Sequence, residues 1–251
     1  MKRSGIAALL VLTALCMGCA GTRPGPEAAA ASQALKHETY TLGGKQPDAM
    51  LVALHYSGAT PAFWHEFLKD WGAPVRVLLP QGPNPRREGF TWVPTDHEQK
   101  DEAAKTADLE QMAERVAQLI REARRAHPEL RRVAVTGFSY GGDLAWLLAI
   151  RYPDLVDAAA PMGSRLLGEP AQALPDTRRV LVLHGEADAI IDFQKTVARV
   201  EALKARGVPI ELRGYPDLGH DMSPQLIEDW RTFLRQQLSG TAHGQEPGDA
   251  R

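Results

Sequence analysis

The sequence predicts an α/β fold: a single doubly wound, mostly parallel sheet flanked by helices, with no separate cap domain. Apolar runs at 50–55, 75–80, 132–136, 157–162 and 179–184 are short and lack polar alternation. Such runs suit strands buried on both faces of a parallel sheet. Helical patterns lie between them, and strands alternating with helices wind into one layered domain.

Residues 1–19 precede that domain. Lys2 and Arg3 open the chain, and 6–15 is an apolar stretch too short to cross a bilayer. It ends at Cys16-Met17-Gly18-Cys19-Ala20-Gly21. The small residues around Cys19 resemble a bacterial lipoprotein signal. The resemblance implies cleavage before Cys19, a lipid on its thiol, export to the cell envelope and a lipid-anchored partnership with the membrane. Residues 20–36 read as a flexible tether, since 22–33 is rich in alanine, glycine and proline. Residues 37–238 form the expected domain. The polar, glycine-containing segment 239–251 reads as a disordered tail.

Within the domain, Leu109, Met112, Val116, Leu119 and Ile120 mark one face of a helix in 101–127, and Pro128 stops it. Phe193, Val197, Val200 and Leu203 mark a second, ended near Gly207. Ile210-Glu211-Leu212-Arg213 alternates as a short strand. Ser223-Pro224 reads as N-cap and first-turn proline of a last helix carrying Ile227, Trp230, Phe233 and Leu234.

Charge and cysteine content narrow the chemistry. Lys+Arg 29 against Asp+Glu 31 leaves a net charge of −2, with no basic excess to hold nucleic-acid phosphates. Arg121, Arg124, Arg125, Arg131 and Arg132 cluster near a helix C-terminus, where the dipole favours cations; a lipid-headgroup patch is the alternative reading. The 2 cysteines both lie in the leader. The domain therefore has no disulfide, thiol nucleophile or zinc–thiolate site. No metal and no cofactor is expected.

Reactive residues gather at strand ends. Val133-Ala134-Val135-Thr136 leads into Gly137-Phe138-Ser139-Tyr140-Gly141-Gly142, and a helical stretch follows. A serine on so sharp a strand-to-helix turn needs glycine on both sides, here Gly137 and Gly141. The helix that opens there aims N–H groups at charge developing on the serine. A serine also needs a base. The apolar strand Val180-Leu181-Val182-Leu183-His184-Gly185 leads to Asp188, and Ile210–Arg213 leads to Gly219-His220. Ser139, Asp188, His220 is the chain order of a nucleophile–acid–base set on an open α/β sheet. All lie past the carboxyl ends of strands, the edge where such sheets form sites. Asp192 and Glu186 compete with Asp188 for the histidine. His55 and His184 end strands and read as structural; Asp217 and Asp221 read as solvent-facing or capping.

With Leu54-His55…Gly58, Gly89-Phe90-Thr91-Trp92, the elbow, His184-Gly185-Glu186-Ala187-Asp188 and Gly219-His220, the chain over about 37–238 resembles the α/β-hydrolase superfamily and, within it, the phospholipase/carboxylesterase family. The resemblance implies a serine hydrolase acting on a small-molecule ester, lysophospholipid or thioester. Ser139 would be nucleophile, His220 base and Asp188 its orienting acid. Backbone N–H groups of Tyr140 and of the loop after 50–55 would hold the oxyanion. Where the family has His-Gly this chain has His55-Tyr56, so Ser57 is the preferred second donor and Tyr56 the alternative. The resemblance also sets 82–100 and 164–178 as walls of the acyl pocket. Two other readings compete: a prolyl-oligopeptidase-like peptidase, which uses the same order but a large extra domain, and a non-catalytic envelope binding protein on the same fold.

Overall fold

The computed structural model describes residues 34–44, 46–170, 173–175 and 179–239. Cys19 and the expected leader, like residues 240–251 of the expected tail, lie outside them.

A 7-stranded sheet organises the described chain. Its strands run β1 (His37–Leu42), β2 (Ala49–Leu54), β3 (Val75–Pro80), β6 (Arg132–Phe138), β7 (Ala158–Met162), β8 (Arg179–Gly185) and β9 (Ile210–Tyr215). In space the order is β1-β3-β2-β6-β7-β8-β9. β1 pairs antiparallel with β3 and every other pair is parallel. β1 is not among the expected strands. It lies at the sheet edge and its first half is exposed, so its sequence His-Glu-Thr-Tyr-Thr-Leu has no continuous apolar run to announce it. A small hairpin, β4 (Asn84–Arg86) with β5 (Gly89–Thr91), folds within the expected loop 82–100.

Two apolar layers sandwich the sheet. Met50, Val52 and Leu54 of β2 face one cluster, while Ala49, Leu51 and Ala53 face the other. That is the period-2 alternation of a strand buried on both sides. The first cluster takes in α2 (Glu102–Ala126), α3 (Tyr140–Arg151) and α4 (Phe193–Ala205) through Val116, Leu144 and Val200. The second takes in α1 (His65–Leu68) and α5 (Pro224–Ser239) through Leu68, Leu226 and Leu234. At its centre Trp230 stacks on Trp64, with ring centroids 5.6 Å apart, and its indole N–H donates to Thr136 Oγ1 at 2.8 Å.

Local chemistry sets the helix ends. Asp101 caps α2 by accepting the Ala104 N–H at 2.8 Å, and α2 stops two residues before Pro128. Asp192 caps α4 by accepting the Gln194 N–H at 2.8 Å. It is a helix cap here and not a partner of His220. Ser223 caps α5 through the Leu226 N–H, 3.2 Å from its hydroxyl. Each side-chain oxygen satisfies an N–H that the first helical turn leaves free. Two arginines of the cluster near the end of α2 have separate carboxylate partners: Arg121 pairs with Glu114 at 2.9 Å and Arg132 with Asp48 at 2.8 Å.

Candidate active site

β6 is the fourth strand of the sheet, and Ser139 follows its last residue. Its backbone sits at φ 57, ψ −123, a conformation that costs on the order of 1–3 kcal/mol and persists only where its surroundings enforce it. Two features enforce it here. The Ser139 N–H donates to the Met162 carbonyl of β7 at 3.0 Å. The backbone also closes on itself: a Cβ on Gly137 would land on the Gly141 carbonyl, and one on Gly141 on the Leu54 carbonyl of β2. Any side chain at either position would push the serine off the turn.

The acid and the base come from neighbouring strands. Asp188 lies three residues beyond β8 and His220 five beyond β9. Gly185 lets the two loops touch, because a Cβ there would strike the Leu218 and Gly219 carbonyls. Their backbones then zip together: the Glu186 N–H donates to Tyr215 and the Ala187 N–H to Leu218, both at 2.9 Å. The result is a 2.7 Å hydrogen bond from His220 Nδ1 to Asp188 Oδ2. The Asp188 side chain is 1 % exposed and that of His220 16 %. Burial pushes the Asp188 carboxyl up, but the N–H groups of Ile191 and Ile190 and the His220 ring outweigh it and hold it below the usual carboxylate range. Glu186, the other competitor, is exposed.

His220 meets the elbow through packing. Its ring lies 4.8 Å from that of Phe138, the residue before Ser139, tilted by 31°. Gly163 backs the same ring; a Cβ on it would come within 3.2 Å of His220 Cε1. Among the described residues no hydrogen bond joins the Ser139 hydroxyl to His220, so the resting contact runs through the aromatic pair. Such bonds are often long before substrate arrives.

The loop after β2 is pinned by His55, which is fully buried. Its Nδ1 bonds the Tyr56 carbonyl at 2.8 Å, its Nε2 accepts the Gly82 N–H at 3.0 Å, and its ring stacks on Trp92 at 4.6 Å. That pairing fixes the neutral tautomer with the proton on Nδ1. Burial drives its pKa down to about 4 against the pull of the Tyr56 carbonyl. Ser57 follows, its hydroxyl donating to Thr91 Oγ1 at 2.9 Å. The Tyr56 ring packs edge-on against Phe63 and Phe138. Tyr140 is the first residue of α3, where a backbone N–H has no intrahelical partner. Its phenol donates to Glu98 at 2.7 Å.

Two contacts here are not foreseen from the sequence. Asp143, wholly buried on α3, accepts from the Ser164 hydroxyl at 2.9 Å and from the Arg165 backbone and guanidinium at 2.7 and 2.6 Å. It braces the loop that carries Gly163. His184, expected to be structural, donates from Nε2 to Asp188 Oδ2 at 3.1 Å. The one hint of this was the His-Gly-x-x-Asp spacing itself. Asp221 is exposed, and its carboxylate accepts the adjacent Met222 N–H at 2.7 Å.

Two cavities share a wall on the Arg165 side of the domain, and Ser139, Asp188 and His220 line neither of them. One of about 350 Å³ is lined by Arg165, Leu167, Ile190 and Ile191 among others. It shares Glu102, Arg165 and Leu167 with a smaller one bounded by His97, Glu98 and Tyr140. Of the two segments expected as walls of an acyl pocket, 82–100 contributes His97 and Glu98 to the smaller cavity and 164–178 contributes Arg165 and Leu167 to both. Among the described residues no group of three or more His, Cys, Asp or Glu is arranged to hold a metal ion.

Comparison with known proteins agrees with this architecture. The model of the Dienelactone hydrolase family matches residues 86–225, more than half of the chain. An acyl-protein thioesterase 1 of Gibberella zeae is 29% identical over 115 residues, 43% of this chain and 48% of that protein. The carboxylesterase SOBER1 of Arabidopsis thaliana is 27% identical over 116 residues, 44% of this chain and 50% of that protein. The chain thus spans about half the length of the curated relatives it matches. Among solved structures, a carboxylesterase from Mesorhizobium loti superposes with a TM-score of 0.67 at 24% identity, covering 80% of this chain and 95% of that one. The superfamily is the one that the motifs imply. The matching family model bears a different name from the phospholipase/carboxylesterase family they resemble.

Proposed function

The chain belongs to the dienelactone hydrolase family, within the α/β-hydrolase superfamily, and we propose that it is a serine hydrolase that cleaves carboxylic esters or thioesters through an acyl-enzyme. The observation that carries this reading is the 2.7 Å bond between His220 Nδ1 and Asp188 Oδ2, with the same ring stacked beside the Ser139 elbow. With Nδ1 held as donor, Nε2 is the basic nitrogen. It takes the Ser139 proton as Oγ attacks the acyl carbonyl, and the charge formed on the carbonyl oxygen is met by the N–H groups of Tyr140 and Ser57. Each such donor is worth roughly 3 kcal/mol to a transition state. The tetrahedral adduct collapses, the bond to the leaving oxygen or sulfur breaks, and His220 returns the proton to it. Water then repeats the sequence on the acyl-serine, releasing the acid.

The test is hydrolysis of p-nitrophenyl acetate and butyrate, with loss of turnover and of fluorophosphonate labelling in Ser139→Ala. Cleavage of aminoacyl-nitroanilides with esters untouched would instead indicate a peptidase. A folded protein whose Ser139 resists the probe would indicate a binding role. We further propose export to the bacterial envelope and acylation at Cys19, resting on the leader sequence alone. Cys19→Ser should then abolish the lipid in a mass spectrum and release the protein from membranes.

A further inference from the structure

Two imidazoles converge on a single carboxylate oxygen. Asp188 Oδ2 receives His220 Nδ1 at 2.7 Å and His184 Nε2 at 3.1 Å. Oδ1 receives the N–H groups of Ile190 and Ile191 at 2.8 and 2.9 Å. A carboxylate offers about four acceptor positions, and all are filled. His184 Nε2 also lies 3.1 Å from the Ile191 carbonyl. Both of its partners only accept, so Nε2 carries the proton and Nδ1 is left with a bare lone pair. That Nδ1 is buried and has no partner.

Packing does not account for this residue. The His184 side chain is 0% exposed and lies edge-on to Phe193, 5.7 Å between centroids. A phenylalanine would fill the same flat space without burying an unpaired nitrogen, which costs about 1–3 kcal/mol. What the imidazole adds is one N–H, shared between the Ile191 carbonyl and Asp188. We propose that His184 is a positioning residue of the candidate triad: its N–H locks the Asp188 carboxylate in rotation and draws off part of the charge that His220 would otherwise feel. The inference rests on the serine-hydrolase reading above. Its consequence is read in the pH dependence and the rate of turnover. Among the described residues, the titratable groups facing the two rings are Asp188 and each other. Phe138 and Gly163 cover other sides of His220, Phe193 and the Ile191 carbonyl those of His184, and Asp221 is turned to its own loop.

The experiment compares His184→Phe, which keeps the volume and removes the donor, with His184→Gln, which restores an N–H. In the phenylalanine variant the acidic limb of kcat/KM for p-nitrophenyl acetate should move up by about half to one pH unit as His220 feels the full carboxylate. On the high-pH plateau kcat should fall about tenfold through the loosened geometry, with KM nearly unchanged. The glutamine variant should recover most of both. Should the phenylalanine variant fail to fold, His184→Asn, too short to reach Asp188, carries the same expectations. A folded donor-less variant with an unmoved limb and kcat within twofold of the parent overturns the proposal. The NMR titration of the His220 ring reads the same shift without substrate. It therefore decides the role of His184 even if Ser139→Ala shows the hydrolase reading to be wrong.

Discussion

Acid should loosen this protein first at His55, the residue that pins the candidate oxyanion loop. In the folded state its ring is fully buried and neutral, with Gly82 donating to the nitrogen that protonation would occupy. Burial takes its pKa down to about 4, from 6.5 for a free histidine. Between those values the unfolded chain binds a proton that the folded chain refuses. Stability therefore rises with pH across the window and is lost as pH falls through it. The gap of about 2.5 units, at about 1.36 kcal/mol each, amounts to about 3 kcal/mol by pH 4. That is a large share of the 5–15 kcal/mol typical of a domain, roughly speaking. Urea unfolding at pH 7, 6, 5 and 4 measures it, with His55→Gln as reference. The variant starts less stable because it breaks the ring stack on Trp92. Its curve should be flatter in this window, since His184 and Asp188, whose pKa values are also depressed, titrate in both proteins and cancel in the difference. Parallel loss of stability in the two proteins would refute the argument, and with it the tautomer assigned to His55.

Three further outcomes are expected. His220→Ala should lower kcat for p-nitrophenyl esters by on the order of 10⁴ or more, because members of such a set act as a unit; a loss under tenfold would mean that another group is the base. Gly163→Ala should cost about 1–2 kcal/mol through its positive φ and push on the His220 ring, so kcat measured in steady state should fall further than a urea melt of the same variant would account for. Trp230→Ala should destabilise by about 3–5 kcal/mol in the same melts, since it empties a site against Trp64 and Trp71 and removes the donor to Thr136.

How far the sequence could be read depended on what kind of force fixes each element. The buried parallel strands were legible because desolvation on both faces leaves continuous apolar runs, and Ala49–Leu54 has no polar residue at all. The elbow was legible because a turn that presses Gly137 against Gly141 tolerates no Cβ, and that constraint is written as residue identity. Asp188 was favoured over Asp192 by the family resemblance of its segment, not by the residues alone; in the structure Asp192 is occupied in capping α4. The edge strand β1 and the hairpin β4–β5 were not legible, since backbone pairing without deep burial leaves little trace in composition. Nor were the Asp143–Arg165 brace and the His184–Asp188 bond. Both depend on where a loop returns in space, 22 residues later in one case and across a four-residue turn in the other.

These late-appearing contacts share a logic. The candidate reactive groups stand on three loops, and loops placed only by side-chain packing would drift by more than the tolerance of a proton transfer. Here backbone meets backbone instead. Gly141 lies against the end of β2, and Gly185 lies against the loop before His220. Buried ionic and imidazole groups then fix what the glycines bring close: Asp143 holds the loop under His220, His55 holds the loop before Ser57, and His184 holds Asp188. Each of these supports holds a neighbour of the candidate machinery and is not itself proposed to touch substrate: Asp143 the loop that backs His220, His55 the loop before Ser57, and His184 the carboxylate that orients the base. Removing one should therefore disturb the geometry of a neighbour more than the stability of the sheet, which rests on the two apolar layers beneath.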